Sequence, residues 1–156
     1  MAIASTLQQY LEDQDIAYEV ITHQPTKTSS RAAQASHISG TCLAKGVVLS
    51  REGGFTLAVV PATCNVQMDA VADFIEGPVS IASEDEIGEL FPDCNKGAIP
   101  PLGEAYGLDV IVDESLERRS DIYFEAGDHE SLIHLTGSQF HNLHEDIPHG
   151  PIAKHW

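Results

Sequence analysis

Prolines at 92, 100 and 101 and glycines at 97 and 103 crowd residues 91–103, and this stretch restricts the fold more than its neighbours do. Each proline fixes φ and lacks an N–H donor, so neither a helix interior nor a central strand can run through it. The stretch must be a structured loop with regular elements on either side. The adjacent pair Pro100 and Pro101 sets two φ angles and removes two donors. Gly97 and Gly103 admit positive φ and close backbone approach. Such a loop either joins a helix to a strand tightly or forms a rigid pocket wall that presents carbonyls and amides in set positions.

On the N-terminal side, Leu7, Tyr10 and Leu11 recur at helical spacing, with Ser5 or Thr6 in place as a cap. Residues 16–21 alternate and read as a strand, and residues 29–35 as a short Ala-rich helix behind a Thr/Ser cluster. Two β-rich runs, 45–50 and 55–60, flank Arg51-Glu52-Gly53-Gly54, which is the pattern of a hairpin. A helix over 69–75, a strand over 79–82 and a helix through Leu90 follow. The last opens with the capping-box spacing of Ser83 and Glu86. Beyond the loop, residues 109–112, 121–126 and 131–136 read as strands, with Gly127-Asp128 turning between the last two. Residues 139–144 form a final helix begun by Gly137-Ser138, and the tail from Glu145 shows no period. About six strands mixed with short helices predict an α/β mixed (α+β) domain, a curved, partly barrel-like mixed sheet with helices packed outside.

The 156 residues and 42% apolar content suit a single domain spanning 1–156. No apolar run nears the ~20 residues that span a bilayer, and the start Met1-Ala2-Ile3-Ala4-Ser5 lacks the features of a signal peptide. Cys42, Cys64 and Cys94 are odd in number and well separated, which argues against a disulfide framework or zinc ribbon. The expectation is a cytoplasmic protein without membrane contact. A net charge of −16, from 24 carboxylates against eight Lys and Arg, repels nucleic acid at long range. Phosphate contact then needs a local patch, and Lys27, Arg31, Lys45 and Arg51 fall close enough in the chain to build one.

Several residues could carry chemistry. Lys45 either snorkels to solvent at the end of its strand or stands as a point charge at a pocket rim. There it would bind a phosphate or polarise an ester carbonyl. His129, in the turn Ala126-Gly127-Asp128-His129-Glu130, is either an exposed turn residue or an acid–base group. Asp113 is an active-site acid or, more commonly for its position, a turn or cap residue. Cys42 is the thiol nearest Lys45 in sequence. His141 and His144 lie on one face of the final helix, but no H-E-x-x-H pattern accompanies them, and no metal or other cofactor is expected. The chain has neither a G-x-S-x-G elbow nor a Walker loop.

Four stretches together resemble the YbaK/prolyl-tRNA-synthetase-associated domain family. They are Ala44-Lys45-Gly46-Val47-Val48-Leu49; Thr56-Leu57-Ala58-Val59-Val60-Pro61 with Val66-x-x-Asp69; Gly97-Ala98-Ile99-Pro100-Pro101-Leu102-Gly103; and Phe124-Glu125-Ala126-Gly127-Asp128-His129-Glu130 with Ile133. The resemblance implies an aminoacyl-tRNA deacylase acting in trans, on a mixed α/β domain with a barrel-like sheet. It places Lys45 near the reacting end of the substrate and the loop Gly97–Gly103 along the amino-acid pocket, and Gly97 and His129 are taken with Lys45 as the catalytic candidates. It implies that Gly46, Gly127 and the loop residues Ala98, Ile99, Pro100, Pro101, Leu102 and Gly103 hold the aminoacyl group. The reaction would lean on the substrate's ribose hydroxyl and an ordered water. Gly46 replaces the Ser, Thr or Asn of many relatives, which bears on amino-acid preference. The implied partners are mischarged tRNA and an aminoacyl-tRNA synthetase. Because a hydrophobic pocket separates one methylene by only ~1–3 kcal/mol, a small misattached residue such as Ala, Ser, Thr or Cys is expected.

Two other readings stand beside this one. The domain could bind aminoacyl-tRNA or a synthetase without turnover, or act as a metal-dependent hydrolase through its C-terminal histidines.

Overall fold

The computed structural model describes residues 3–22, 38–95 and 98–155. The helix expected over 29–35, together with Lys27, Arg31 and Gly97, lies outside the described residues.

Helix α1 (Ser5–Asp13) leads into strand β1 (Glu19–Thr22). The helix starts after Ala4, so Ser5 and Thr6 are its first residues and not its cap. Its open N–H groups are met from across the molecule: Thr6 N–H donates to Asp93 Oδ2 at 2.8 Å. Strands β2 (Leu43–Arg51) and β3 (Gly54–Pro61) form the expected hairpin, in register from Ala44↔Pro61 to Arg51↔Gly54. There follow β4 (Cys64–Val66), α2 (Met68–Ile75), β5 (Val79–Ile81) and α3 (Glu84–Leu90). Both hydrogen bonds of the Ser83/Glu86 capping box are present. After the Pro/Gly loop come a 3₁₀ turn (Gly103–Tyr106), β6 (Asp109–Asp113), a second 3₁₀ turn (Glu114–Arg118), β7 (Asp121–Glu125) and β8 (Ser131–Thr136). Helix α4 (Gly137–Leu143) is opened by a second capping box, Thr136 with Gln139. Strands β9 (His149–Gly150) and β10 (Ala153–His155) close the described chain.

The main sheet runs β1-β8-β7-β2-β3-β6-β9, with β5 also pairing β2, and β10 pairs β4 separately. The pairs β2/β7, β3/β6 and β6/β9 are parallel and the others antiparallel, so the sheet is mixed as expected. It is open, with β1 and β9 at its edges.

Alternation in β2 sorts its side chains to two faces. Ala44 and Val48 enter the larger core with Leu57, Val59, Phe124, Ile133, Phe140 and α1. Leu43 and Leu49 belong to two smaller clusters on the other face, Leu43 with Ala62 and Leu132, and Leu49 with Val60 and Ile111. Gly46 falls in the larger-core series. A Cβ there would stand 2.9 Å from Leu57 Cδ1, and one on Gly103 would stand 3.3 Å from Leu57 Cδ2. Leu57 thus fills the room left by two glycines, and its packing joins the β2 strand to the end of the Pro/Gly loop.

Candidate active site

Lys45 lies in series with Leu43 and Val47, on the face turned away from the larger core. The parallel register of β2 and β7 matches Leu43 with Tyr123 and Ala44 with Phe124. The next residue of β7 is Glu125, beside Lys45 on the same face. The ammonium donates to the carbonyl of Ala62 at 3.4 Å. Burial pulls the Lys45 pKa below its ordinary value, with Cys64 acting in the opposite sense.

Glu125 is 1% exposed. His129 Nδ1 lies 3.8 Å from its Oε1. The turn between them is built by local chemistry. Gly127 has φ 101, a conformation suited to glycine, and a Cβ there would stand 3.0 Å from Ala4 Cβ. Asp128 Oδ1 accepts from the N–H of Glu130 and of Ser131, at 3.0 and 2.8 Å. His129 itself takes a left-handed φ of 61, unusual for a residue with a Cβ. The turn folds the imidazole back toward the end of β7.

The Pro/Gly loop reaches this turn at one end. Asn95 N–H donates to the Gly127 carbonyl at 2.8 Å, and Ala98 N–H to the Asn95 carbonyl at 3.1 Å. The loop then bends into the larger core. Ala98, Pro100, Pro101, Leu102 and Gly103 are buried and Ile99 is half-buried. Leu102 belongs to the larger core, on the face opposite Lys45. The structure thus gathers Lys45, Glu125 and His129 on one face. Asn95 and Gly127 stand at the sheet end beside them. Leu102 and Gly103 are assigned to packing that holds the loop, and Gly46 faces the same core.

The other candidates resolve individually. Asp113 is a buried cap: its Oδ2 accepts from Ser115 N–H and Oγ–H, and its Oδ1 from the N–H groups of Ile152 and Ala153, both at 3.0 Å. Arg51 does not share a patch with Lys45. It sits at the far end of β2, about 20 Å along the strand at ~3.3 Å per residue, and pairs with Asp109. His141 and His144 also part company. His144 is fully buried, with Nδ1 2.9 Å from the Phe140 carbonyl and Nε2 3.3 Å from that of Pro101.

Sequence reasoning assigned Glu125 and Asn95 no role. The signal for Glu125 was present, a carboxylate ending the apolar run Ile122-Tyr123-Phe124 with a histidine four residues on. Asn95 carried none, since its part is played by backbone atoms.

Residues 23–143 match the family model of the aminoacyl-tRNA editing domain. Among solved structures, a hypothetical protein, APE2540, superposes with a TM-score of 0.86 at 17% identity, covering 96% of this chain and 100% of its own. A protein proposed to be a trans-editing enzyme for prolyl tRNA synthetase gives 0.85 at 23% identity, with 97% and 96% covered. A proposed signal transduction protein from Marinobacter aquaeolei VT8 gives 0.80 at 15% identity, and there the match covers 97% of this chain but 31% of the other. At these identities the structures share the fold, which recurs both alone and within a longer chain. No protein of curated function matches. The family match, which takes in β2, the Pro/Gly loop and the Gly127 turn, shows that this chain belongs to the aminoacyl-tRNA editing domain family.

Proposed function

We propose that this protein hydrolyses the ester of a mischarged tRNA carrying a small amino acid, with Lys45, Glu125 and His129 at the reacting end. One observation carries the reading: a half-buried ammonium shares a sheet face with a buried carboxylate and its histidine, in a member of an editing family.

An aminoacyl ester is already activated, so positioning and electrostatics suffice. In this reading a water, held near the ribose hydroxyl, attacks the ester carbonyl carbon and passes a proton to His129. Glu125 orients that imidazole and balances its charge. The Lys45 ammonium faces the developing oxyanion. The bond from carbonyl carbon to ribose oxygen then breaks, and that oxygen takes the proton from His129, releasing free amino acid and intact tRNA. Positioning can contribute ~7–11 kcal/mol and oxyanion stabilisation ~3–4 kcal/mol. The Asn95 end of the Pro/Gly loop, tied to Gly127, is the pocket wall in this scheme, and the buried Pro100–Gly103 end anchors it. We place the reaction in the cytoplasm, with a synthetase helping to bring tRNA to a chain of charge −16. No helix among the described residues is long and apolar enough to cross a membrane.

The test is a panel of tRNAs mischarged with Ala, Ser, Thr or Cys. The wild type should deacylate at least one, and Lys45→Ala should lose about a hundredfold or more in rate with its unfolding transition unchanged. A folded wild type that turns over none of them overturns the reading. Binding without turnover would instead identify a non-catalytic module.

A further inference from the structure

A second cluster lies away from Lys45. Glu117 on the second 3₁₀ turn, His141 on α4 and His149 on β9 each offer one ligand atom, all within 4.8 Å of one another. His149 Nε2 is 3.4 Å from Glu117 Oε1, and the rings of His141 and His149 have centroids 5.7 Å apart. We propose that these three side chains form a binding site for a late first-row divalent cation, Zn²⁺ above all.

The donor set decides the class of ion. Two imidazoles and one carboxylate suit Zn²⁺ and its neighbours, whereas Ca²⁺ and Mg²⁺ require mostly oxygen ligands. The geometry is near to hand. Tetrahedral zinc with bonds of ~2.0–2.1 Å separates its ligand atoms by about 3.3 Å, close to the His149–Glu117 spacing already present. All three ligand atoms already lie within 4.8 Å of one another, so small side-chain rotations close the set, and with Glu117 and His141 exposed a fourth position stays open to solvent.

The three ligands come from three separate segments. The ion would therefore fasten β9, a two-residue edge strand, to α4 and the turn after β6. The site is also distinct from the proposed active site. His149 pairs with Val112, Val112 with Val59, and Val59 with Gly46, which puts β9 three strand spacings, about 14 Å, from β2. α4 packs on the larger core, on the face opposite Lys45.

Protein without a histidine tag, stripped with chelator, should bind one Zn²⁺ with micromolar or tighter Kd in a calorimetric titration. Its melting temperature should rise by roughly 5–10 °C at a hundredfold excess over Kd. His141→Gln and His149→Gln should each weaken binding tenfold or more, and Glu117→Gln severalfold, while melting like wild type in chelator. His134→Gln, at the separate imidazole between Glu19 and Asp121, should leave Zn²⁺ binding unchanged. If His149→Gln fails to fold, the exposed His141→Gln carries the test. No binding below about 100 µM, binding that survives both His141→Gln and His149→Gln, or loss of binding in His134→Gln would overturn the proposal.

Discussion

His129 Nδ1 faces Glu125 Oε1 across 3.8 Å, and the carboxylate is 1% exposed. A charge buried so deeply is costly unless a cation or donors compensate it, and Lys45 and His129 share its face. If the pair works as an orienting carboxylate and a proton carrier, Glu125→Gln keeps the shape and removes the charge. Deacylation should then fall by about a hundredfold, within the 10²–10⁴ range of general acid–base catalysis. His129→Gln should cost a similar amount, and the double variant little more, because the two act as one unit. Single-turnover assays of the three variants measure this. Independent, multiplicative losses would show that the groups do not cooperate.

Gly103 and Gly46 both lie against Leu57, but with different tolerance. A Cβ on Gly103 would come within 2.5 Å of Val110 Cγ2, on a side chain stiff at χ1, so Gly103→Ala should destabilise by ~1–3 kcal/mol. At Gly46 the obstacle is the tip of Leu57 at 2.9 Å, which can rotate aside, so Gly46→Ala should cost under about 1 kcal/mol. Urea denaturation ranks the two. A larger cost at Gly46 would mean that Leu57 cannot move.

Asp93 closes the N-terminus of α1 from a distant segment. Its Oδ2 accepts from Thr6 N–H at 2.8 Å, and its Oδ1 from the Tyr106 hydroxyl at 2.9 Å. Burial alone would raise its pKa, but the bonds from Thr6 and Tyr106 prevail and hold it below the usual carboxylate range. Asp93→Ala should cost ~1–2 kcal/mol at neutral pH, as for lost helix caps, and Asp93→Asn less because one acceptor remains. The depressed pKa means this stabilisation is present above about pH 3.9 and lost as pH falls through the folded value. Stability measured from pH 7 down to pH 3 should show wild type and Asp93→Ala converging.

Local chemistry made much of the fold legible. The hairpin around Gly53-Gly54, the Ser83/Glu86 capping box and the apolar strands each follow from residues adjacent in sequence. Strands β4, β9 and β10 escaped because their two or three residues show no period and no β-rich run such as Val79-Ser80-Ile81 marks them, while their pairing partners lie far away in sequence. The cap of α1 was misread for the same reason: Asp93 is 87 residues from Thr6. In the site, Lys45 and His129 stood out as ionisable groups at element ends. The face that unites them with Glu125 depends on the β2/β7 register, which no local pattern encodes.

Two histidines should pull stability in opposite directions with pH. His134 sits between Glu19 and Asp121, at 2.6 and 2.8 Å, stacked on Tyr123. Burial lowers its pKa, but the bonds to Asp121 and Glu19 outweigh that and raise it. A raised value gives stabilisation that is complete below the unfolded pKa of about 6.5 and lost as pH climbs through the folded pKa. Both carboxylates are largely exposed, so the effect is screened to under about 1 kcal/mol. His144 is the reverse. Full burial lowers its pKa against the pull of the Phe140 and Pro101 carbonyls, so it folds neutral. A neutral ring has one N–H and donates to only one of these carbonyls, so its contribution, ~1–3 kcal/mol for that buried hydrogen bond, is present above about pH 6.5 and lost as pH falls toward the depressed value. Urea denaturation of His134→Gln and His144→Gln at pH 5.5 and 8.5 separates the two. The first variant should lose more stability relative to wild type at pH 5.5, and the second more at pH 8.5. A larger loss at pH 8.5 in both would mean that the imidazole between Glu19 and Asp121 gains no charge on folding, and a larger loss at pH 5.5 in both would mean that buried His144 is not held neutral.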